Sequence, residues 1–434
     1  MGIKSMANGK TQGVVEVSQL VPDRSDDAST PASPPGRRVK VVMLMWWIPH
    51  YRAPIFRRLS QSPQLDFVVW AGNNRNIARG QQVATAEDVG VANGISWRPI
   101  RSRRLRRWPL RDLEWQPEVL KLAWREDIDV LMIHGITSVS NWLVRVICKL
   151  RRIPLVEWSH GAFRPQRGLR WRIRKFYMKW ADAFLLYGRF ACNFFVAQGF
   201  DAGRVFLINN SLDYDRQVII RDALTEDMLR ETRASFGVGH ADERLIFHCG
   251  RFRTKKTLRL LIDAIRILKE RQRKVVAVLI GDGADEAGLR RYAEGCGLSD
   301  RVVFCGPVYD EERLGRIIAA SDLCVVPASL GLTAMHSMVY GTPVLTCDNS
   351  GWVQGPEFDA VIDGENGILF RWADLDDLVR KMDAALYPVP CKPAMAQACR
   401  DTIAREFTPS YQERVVLKMI NSLVPAHKQV RVPP

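Results

Sequence analysis

The stretch from Ala328 to Val344 reads ASLGLTAMHSMVYGTPV and contains the transition that decides the fold. An apolar run from Leu323 to Val326 stops at Pro327, and Gly331 then opens a segment with helical periodicity. Another apolar run follows Pro343, so the order is strand, tight turn, helix and strand. Such a turn leaves backbone N–H groups of the new helix unpaired, where an anion can bind. An ordinary βα turn that binds nothing is the alternative interpretation.

The rest of the chain alternates in the same way between apolar runs and helical patterns. Val39 to Met45 (VKVVMLM) is typical of a parallel strand that is buried on both faces. Ten further segments have the length and composition of strands. They are Asp66–Trp70, Asp129–Ile133, Pro154–Trp158, Ala183–Tyr187, Val205–Ile208, Leu245–His248, Val275–Ile280, Val302–Cys305, Leu323–Val326 and Pro343–Thr346. The alternation predicts α/β domains with doubly wound sheets.

The alternation breaks once, at the turn residues from Asn209 to Asp213. We therefore predict an N-terminal Rossmann-like domain at 37–213 and a C-terminal one at 214–408. The helical pattern from Pro409 to Leu423 lies beyond the second sheet and is expected to cross back onto the first domain, so 409–434 is predicted to be a crossover helix and tail. Residues 1–36 are rich in Ser, Asp, Pro and Gly and are expected to be disordered.

The composition restricts the partners of the chain. Its formal charge of +16 predicts attraction to nucleic acid, an anionic membrane surface or a phosphorylated ligand. No nucleic-acid-binding module supports the first of these, so no nucleic-acid partner is expected. Nine cysteines without a CxxC pair favour reduced thiols in a cytoplasmic protein. We find no signal peptide and no apolar run of membrane-spanning length, so any membrane contact is expected to be peripheral.

A basic loop follows the predicted strand Leu245–His248 and reads CGRFRTKK. In it, Arg251 and Lys256 flank a short turn that opens a helix. Arginine supplies a two-pronged donor and lysine a mobile point charge, which together suit a diphosphate. A merely solvated basic loop is the alternative.

Together these segments resemble a known family. The chain from Arg37 to Leu423 resembles the retaining glycosyltransferases of the GT-B fold (glycosyltransferase group 1, family 4-like), a large family that includes sucrose synthases and many polysaccharide glycosyltransferases. Five motifs in the family's order carry the resemblance: CGRFRTKKTLRLLIDAI, LIGDGADEAGL, RVVFCGPV, SDLCVVPASLGLTAMHSMVYGTPVLT and GENGILF. In the N-terminal half it is looser and rests on the turns Pro49–Arg52, Trp158–Gly161 and Asn210–Asp213.

The resemblance implies an enzyme with two Rossmann-like domains that face each other across a cleft. Such an enzyme moves a sugar, with retention, from a UDP- or GDP-linked donor to a glycan or lipid-linked acceptor, without a metal or other cofactor. Surface polysaccharide or glycolipid synthesis is the implied setting. A non-catalytic homologue that binds a nucleotide or glycan on the same fold is the alternative.

The resemblance also assigns roles to residues on the donor side. Arg251 and Lys256 would bind the diphosphate and stabilise the charge that develops on it as the glycosidic bond breaks. Backbone groups near Phe304 would hold the base, and amides of the turn at Gly331 would contact the phosphates. The expected donor-binding residues are Gly250, Phe304, Gly306, Gly331, Leu332, Thr333, His336 and Glu357.

The sequence departs from the family at two positions. The family usually carries two glutamates around this turn, with seven residues between them, and alignment on Gly331 places Ala328 and His336 there. A histidine can still hydrogen-bond a ribose hydroxyl, whereas an alanine side chain offers nothing to a sugar. Glu357 and the Asp348-Asn349 pair are therefore the candidates for sugar recognition.

Histidines follow two predicted strands of the N-terminal half. The family often places a histidine that contacts the transferring sugar at the position of His160, so we assign His160 to catalysis. His134 has a similar setting and is a competing candidate, and a purely structural histidine is the alternative for both. The first βα turn carries His50 and Arg52, which we assign with His134 to the acceptor side.

Two basic clusters contain aromatic residues, from Arg101 to Arg111 and from Arg164 to Lys179. In the second, four residues fall on one helical face: Ile173, Phe176, Tyr177 and Trp180. This pattern is typical of a core stripe with a solvated basic face. The alternative is a surface that lies on anionic lipid.

Overall fold

The computed structural model describes residues 38–72, 94–101, 103–104, 114–135, 139–252 and 255–433. The predicted disordered segment 1–36 and most of the basic cluster from Arg101 to Arg111 lie outside these ranges. No helix within the described part of the chain is long and apolar enough to cross a bilayer.

A seven-stranded parallel sheet forms the first domain, in the order β3-β2-β1-β6-β7-β8-β9 as far as the described residues show. Its strands are β1 (Val39–Met45), β2 (Leu65–Gly72), β3 (Trp97–Ile100), β6 (Val130–His134), β7 (Leu155–Ser159), β8 (Ala183–Leu186) and β9 (Val205–Leu207). A short antiparallel pair, β4 (Arg103–Arg104) and β5 (Glu114–Trp115), lies apart from it.

The second domain contains a six-stranded parallel sheet in the order β12-β11-β10-β13-β14-β15 among the described residues. Its strands are β10 (Glu243–Cys249), β11 (Lys274–Ile280), β12 (Val302–Gly306), β13 (Leu323–Val326), β14 (Val344–Cys347) and β15 (Gly367–Phe370).

Helices connect the strands and cover both faces of each sheet. They are α1 (Ala53–Gln61), α2 (Pro117–Arg125), α3 (Val139–Arg151), α4 (Gly168–Met178), α5 (Arg189–Ala197), α6 (Tyr214–Asp222), α7 (Glu226–Ser235), α8 (Lys255–Glu270), α9 (Glu286–Gly295), α10 (Glu311–Ala320), α11 (Thr333–Val339), α12 (Leu375–Leu386), α13 (Lys392–Glu406) and α14 (Pro409–Leu423). The predicted doubly wound α/β architecture is confirmed.

Strand β1 shows why a continuous apolar run folds in this way. Successive side chains of a strand point to opposite faces of the sheet. Accordingly Val41 and Met43 pack into the apolar layer that contains α1, while Val42 and Leu44 pack into the layer that contains α2 and α3. A strand with helices on both sides needs apolar residues at every position, and β1 has them apart from Lys40.

Helix α14 crosses back onto the first domain, as the sequence predicts. Its side chains Tyr411, Val416 and Ile420 are buried in the same core as β1 and α1. The Tyr411 hydroxyl donates a hydrogen bond to the carbonyl of Leu207, 3.0 Å away, at the end of β9.

Strands β3 and β15 were not predicted from the sequence. Strand β3 reads WRPI and lies at the sheet edge, where the exposed residues Arg98 and Pro99 interrupt the apolar pattern. Strand β15 has only four residues and directly follows turn residues at Glu365 and Asn366, so its apolar run is too short to distinguish from a loop.

Candidate functional site

The carboxyl ends of the two sheets meet at a contact between the domains. The backbone N–H of Arg189, after β8, donates to the Asp359 carboxylate after β14 at 2.5 Å. Asn210 Nδ2 donates to Glu357 Oε1 at 2.6 Å. Ligands of open α/β sheets bind outside the carboxyl ends of the strands, so this contact marks the candidate cleft.

The loops after β10 and β11 cross at the wall formed by the second domain. Gly250 N–H donates to the Ile280 carbonyl at 3.0 Å, and Phe252 N–H donates to the Asp282 carbonyl at 2.8 Å. A Cβ at Gly281 would lie 1.9 Å from the Gly250 carbonyl oxygen, so only glycine fits there. The crossing fixes the backbone on both sides of Arg251.

The two predicted diphosphate ligands lie on this loop and at the start of the following helix. Arg251 follows β10 and is half-buried. Lys256 lies in the first turn of α8, and its side chain is outside the described part of the structure. The positive end of the α8 dipole therefore adjoins the same loop.

The turn that opens α11 lies against the end of β10. Gly331 has a φ of +57°, a left-handed conformation that favours glycine. The Thr333 hydroxyl donates to the Cys249 carbonyl at 2.8 Å. The structure thus brings the Gly331–Thr333 turn and the Gly250 loop together.

Phe304 and Gly306 lie on β12, next to the Gly250 loop. The Phe304 ring is edge-on to Phe252 with centroids 6.1 Å apart, and the Arg290 guanidinium lies 4.5 Å from its centroid. Gly306 has a φ of +69°, and its carbonyl accepts a hydrogen bond from Gly281 N–H at 2.9 Å.

His336 contacts the carboxylate of Glu311, a residue that the sequence analysis did not include in the site. Its Nε2 lies 2.8 Å from Glu311 Oε1, which also accepts hydrogen bonds from Gln217 Nε2 and the Tyr340 hydroxyl, each at 3.1 Å. Burial alone would raise the pKa of Glu311, but the hydrogen bond from His336 and the other donors hold it below its usual value. The position where the family carries a glutamate thus holds a histidine–carboxylate pair.

Glu357 lies beside the turn that contains Ala328. A Cβ at Gly355 would be 2.7 Å from Glu357 Oε2 and 3.9 Å from the Ser329 hydroxyl, so both groups surround Gly355. Burial raises the pKa of Glu357, and the hydrogen bond from Asn210 only partly offsets that effect. A buried carboxyl group is therefore present near the residue where the family's sugar-binding carboxylate is missing.

Arg52 forms the centre of the site on the first domain. It follows β1 in a 3₁₀ turn and is 5% exposed. Its guanidinium carbon lies 5.0 Å from the ring centroid of Tyr187 and 5.8 Å from those of Tyr51 and Trp158. Its Nε and Nη1 atoms are buried without a hydrogen-bond partner among the described residues. His50 opens the same turn, with its ring 5.6 Å from that of Tyr51.

His134 and His160 are both close enough to Arg52 for its charge to act on them. Burial, aided by the Arg52 charge, lowers the pKa of His160 to about 4 and that of His134 well below its usual value. Both imidazoles are therefore neutral near pH 7. The His160 ring contacts those of Tyr187 and Phe163 at 4.8 and 5.3 Å, and His134 Nε2 is buried without a partner in the described chain.

A buried ion pair supports the turn that carries His160. Arg145 Nη2 lies 2.5 Å from Glu157 Oε2, and both side chains are almost fully buried. The Ser159 hydroxyl donates to Glu157 at 3.3 Å and accepts from Gly161 N–H at 3.2 Å. Arg174 donates to the Gly161 carbonyl at 2.6 Å. The His160 backbone is therefore held from both sides.

Sequence analysis missed Tyr187, Trp158 and Asn210 as parts of this site. Tyr187 was interpreted only as a strand residue, and Trp158 as the end of a strand and the start of the turn that carries His160. Their ring contacts with Arg52 depend on how three loops converge in space, which one sequence does not reveal. Asn210 lies in the linker, which supported the domain boundary and the resemblance but was given no role in the site.

Two family profiles match consecutive parts of the chain. Residues 66–216 match the profile described as Glycosyltransferase Family 4, and residues 231–388 match Glycosyl transferases group 1. A D-inositol 3-phosphate glycosyltransferase of Catenulispora acidiphila is 31% identical over 191 residues, which cover 41% of this chain and 42% of that protein. The lipopolysaccharide core biosynthesis glycosyltransferase LpsE of Rhizobium meliloti is 29% identical over 171 residues, covering 39% of this chain and 47% of that protein. The chain thus spans less than half the length of each.

Solved structures share the fold over nearly the whole chain. Anabaena Alr3699/HepE in complex with UDP and glucose superposes with a TM-score of 0.64 at 17% identity, covering 89% of this chain and all of that one. A UDP-N-acetylglucosamine 2-epimerase superposes with a TM-score of 0.58 at 14% identity, covering 89% and 96%. These likenesses, with the two glycosyltransferase profiles, establish a GT-B fold, while the epimerase shows that the fold alone does not decide the reaction.

Proposed function

We propose that this protein is a retaining glycosyltransferase that moves a sugar from a UDP- or GDP-linked donor to a glycan or lipid-linked acceptor. One observation carries the proposal. The crossed loops around Arg251 and the turn at Gly331 lie together at the carboxyl edge of the second sheet, and Glu357 of the same domain is near enough to Arg52 of the first domain for their charges to interact. The likeness to glycosyltransferases, among them one of lipopolysaccharide core biosynthesis, supports it.

In the proposed reaction the diphosphate leaves toward the second domain. Arg251 and Lys256 stabilise its developing charge in a cleft from which water is excluded, so no metal ion is required. His160 stays neutral because burial lowers its pKa to about 4, and it contacts the transferring sugar through hydrogen bonds. Glu357 supplies the carboxyl group for sugar recognition in place of the residue lost at Ala328.

The donor site is tested by thermal unfolding of the full chain with UDP, GDP, ADP and TDP. A nucleotide that binds only the folded state raises the midpoint by mass action. We expect UDP or GDP to raise the midpoint of the wild type, and Arg251→Ala and Lys256→Ala to abolish the increase. Arg316→Ala, at an exposed site on α10, is the control and should behave as the wild type. No shift with any nucleotide would disprove the donor assignment.

Turnover and stereochemistry separate the enzyme from a non-catalytic homologue. Incubation of the identified nucleotide-sugar with the protein should release nucleoside diphosphate, and release should persist in EDTA because no metal is required. The anomeric proton of the product, followed by NMR from the first turnovers, should keep the donor's configuration. A protein that binds the nucleotide but releases nothing above background is the non-catalytic homologue.

We further propose that the protein acts at the cytoplasmic face of an anionic membrane and makes surface polysaccharide or glycolipid. Helix α4 lies within the basic cluster Arg164–Lys179. It exposes Leu169 and Phe176 by 71% and 65%, and Ile173 is exposed beside them. Of the predicted stripe, Tyr177 is buried and Trp180 is half-buried, so the core-stripe interpretation holds for only part of it. The Trp142 ring of α3 packs at a tilt against the Tyr177 ring, with centroids 4.2 Å apart, so the two helices adjoin here.

A further inference from the structure

The feature that the proposed reaction leaves unexplained is the setting of Arg52. A guanidinium carries five N–H donors and a permanent charge, and burying them without partners is costly. Arg52 is buried, and two of its nitrogens lack a partner within the described residues. Three aromatic rings surround the group and offer cation–π attraction, and the hydroxyls of two of them, Tyr51 and Tyr187, also interact with its charge.

No carboxylate among the described residues near Arg52 supplies an acceptor to its Nε or Nη1. Glu357 of the second domain is near enough to act on the Arg52 charge, but its Oε1 accepts from Asn210 and no hydrogen bond joins it to Arg52. His134 and His160 are neutral, and His134 Nε2 also lacks a partner in the described chain. Arg52 is thus a buried cation whose Nε and Nη1 have no hydrogen-bond partner among the described residues.

We infer that Arg52 is the centre of an oxyanion subsite on the first domain that binds a phosphate group of the acceptor. Phosphate oxygens accept charge-assisted hydrogen bonds from guanidinium N–H groups, and Arg52 has two nitrogens without a partner among the described residues. His134, which is close enough for the Arg52 charge to act on it, also has a buried ring nitrogen without a partner in the described chain. The donor diphosphate has its own basic loop at Arg251 on the second domain, so a second anion site on the first domain fits the other substrate. This inference rests on the proposed function, because it names the chemistry of the acceptor.

The test uses inorganic phosphate as the probe and thermal unfolding of the full chain as the measurement. Phosphate is titrated with and without saturating UDP, at constant ionic strength maintained with chloride. In the wild type, phosphate should raise the midpoint in both series, because the subsite is separate from the donor site. In Arg52→Gln the half-maximal phosphate concentration should rise about tenfold or more, since charge-assisted hydrogen bonds are lost.

Two further variants keep the result interpretable. Arg52→Lys keeps the buried charge but loses the planar guanidinium with its several N–H donors, so it should also weaken the phosphate response. This variant replaces Arg52→Gln in the test if Arg52→Gln does not fold. Arg251→Gln should keep the phosphate response while losing the shift with UDP. If the proposed function is wrong, no nucleotide should raise the unfolding midpoint of the wild type, whether or not phosphate raises it.

The inference is overturned by either of two results. One is a phosphate response that is unchanged in both Arg52 variants. The other is a response that saturating UDP abolishes in the wild type, which would assign the anion to the donor's diphosphate.

Discussion

At the residue scale, the donor wall depends on glycines where two loops touch. A Cβ at Gly281 would overlap the Gly250 carbonyl, and one at Gly283 would lie 2.4 Å from the Phe252 carbonyl oxygen. Gly281 also has a φ of +131°, which side chains rarely adopt. The backbone next to Arg251 is therefore set by the absence of side chains on the neighbouring loop.

We expect Gly281→Ala to destabilise the protein by about 1–3 kcal/mol, because overpacking adds to backbone strain. It should also weaken the nucleotide-dependent shift, since Arg251 moves with the displaced loop. Gly295→Ala, at an exposed helical site with nothing within 4 Å of the new Cβ, is the matched control. Urea unfolding measures both variants. Equal free energies of unfolding for Gly281→Ala and Gly295→Ala would show that the loops after β10 and β11 can move apart without destabilising the protein, which would contradict the prediction.

The buried His248 should make the stability of the second domain sensitive to acid. Burial lowers its pKa to about 4, although its Nδ1 lies 3.0 Å from the Val325 carbonyl. The unfolded chain therefore takes up a proton at a higher pH than the folded one, and stability falls as the pH falls from 6.5 toward 4. The full shift corresponds to a loss of about 3 kcal/mol. Unfolding free energies of the wild type should fall across this window more steeply than those of His248→Asn. Parallel curves would contradict the assignment.

The sequence predicts the backbone part of the site better than its side chains. Gly250, Gly306 and Gly331 lie at the ends of predicted strands or in predicted turns, and the alternation of apolar runs and turn residues indicates these positions directly. In contrast, the contacts of Arg52 with Tyr187 and of His336 with Glu311 join residues 135 and 25 positions apart, a proximity that only the folded topology creates.

At the scale of elements, α14 belongs to the first domain although it follows the second along the chain. Gln412 donates to the Asn209 carbonyl at 2.7 Å and accepts from the Ser211 hydroxyl at 2.7 Å. Glu413 pairs with Arg58 of α1 at 2.8 Å. The helix therefore joins the linker to the first core.

Val416→Asp should reduce the unfolding free energy by about 3 kcal/mol or more, because it buries an unpaired carboxylate in the first core. Hydrogen exchange should then accelerate in β1 and α1 before it does in the strands of the second sheet. Lys418→Asp changes an exposed position of the same helix and should have little effect. Faster exchange confined to the second domain would show that α14 is not part of the first core.

The sequence predicted the long apolar strands and α14 because their patterns extend over enough residues to be distinctive. It missed β15 and the helices α12 and α13 between the last motif and Pro409. The 3₁₀ turn at Pro356–Ala360, which places Glu357, has no periodic pattern.

At the scale of the whole molecule, the charge of +16 is combined with exposed apolar side chains on α3 and α4. Screening weakens the attraction between charges on the protein and on lipid as salt rises, whereas apolar contact is not screened. Binding to phosphatidylglycerol vesicles should therefore fall steeply between low and high salt without vanishing, and phosphatidylcholine vesicles should bind less.

Arg170→Glu combined with Arg172→Glu should reduce binding to the anionic vesicles at low salt. The control is Arg291→Glu combined with Arg316→Glu, which changes the net charge equally at exposed sites of the second domain. Ile173→Ser combined with Phe176→Ser should remove the binding that persists at high salt. Equal binding by the two charge-reversed proteins, measured by co-sedimentation, would show that α4 does not orient the molecule.

Helix α14 is synthesised after both sheets but packs on the first one, and this order affects how the protein folds. The described strands of the first sheet have all been synthesised when the ribosome reaches Leu207. However, the side chains that cover one face of that sheet include residues from Tyr411 to Val424. During the intervening two hundred residues, the apolar surface of β1 and α1 that α14 will cover is exposed to water or to other proteins. The second domain can therefore complete its core first, and the first domain becomes native only when the last helix docks.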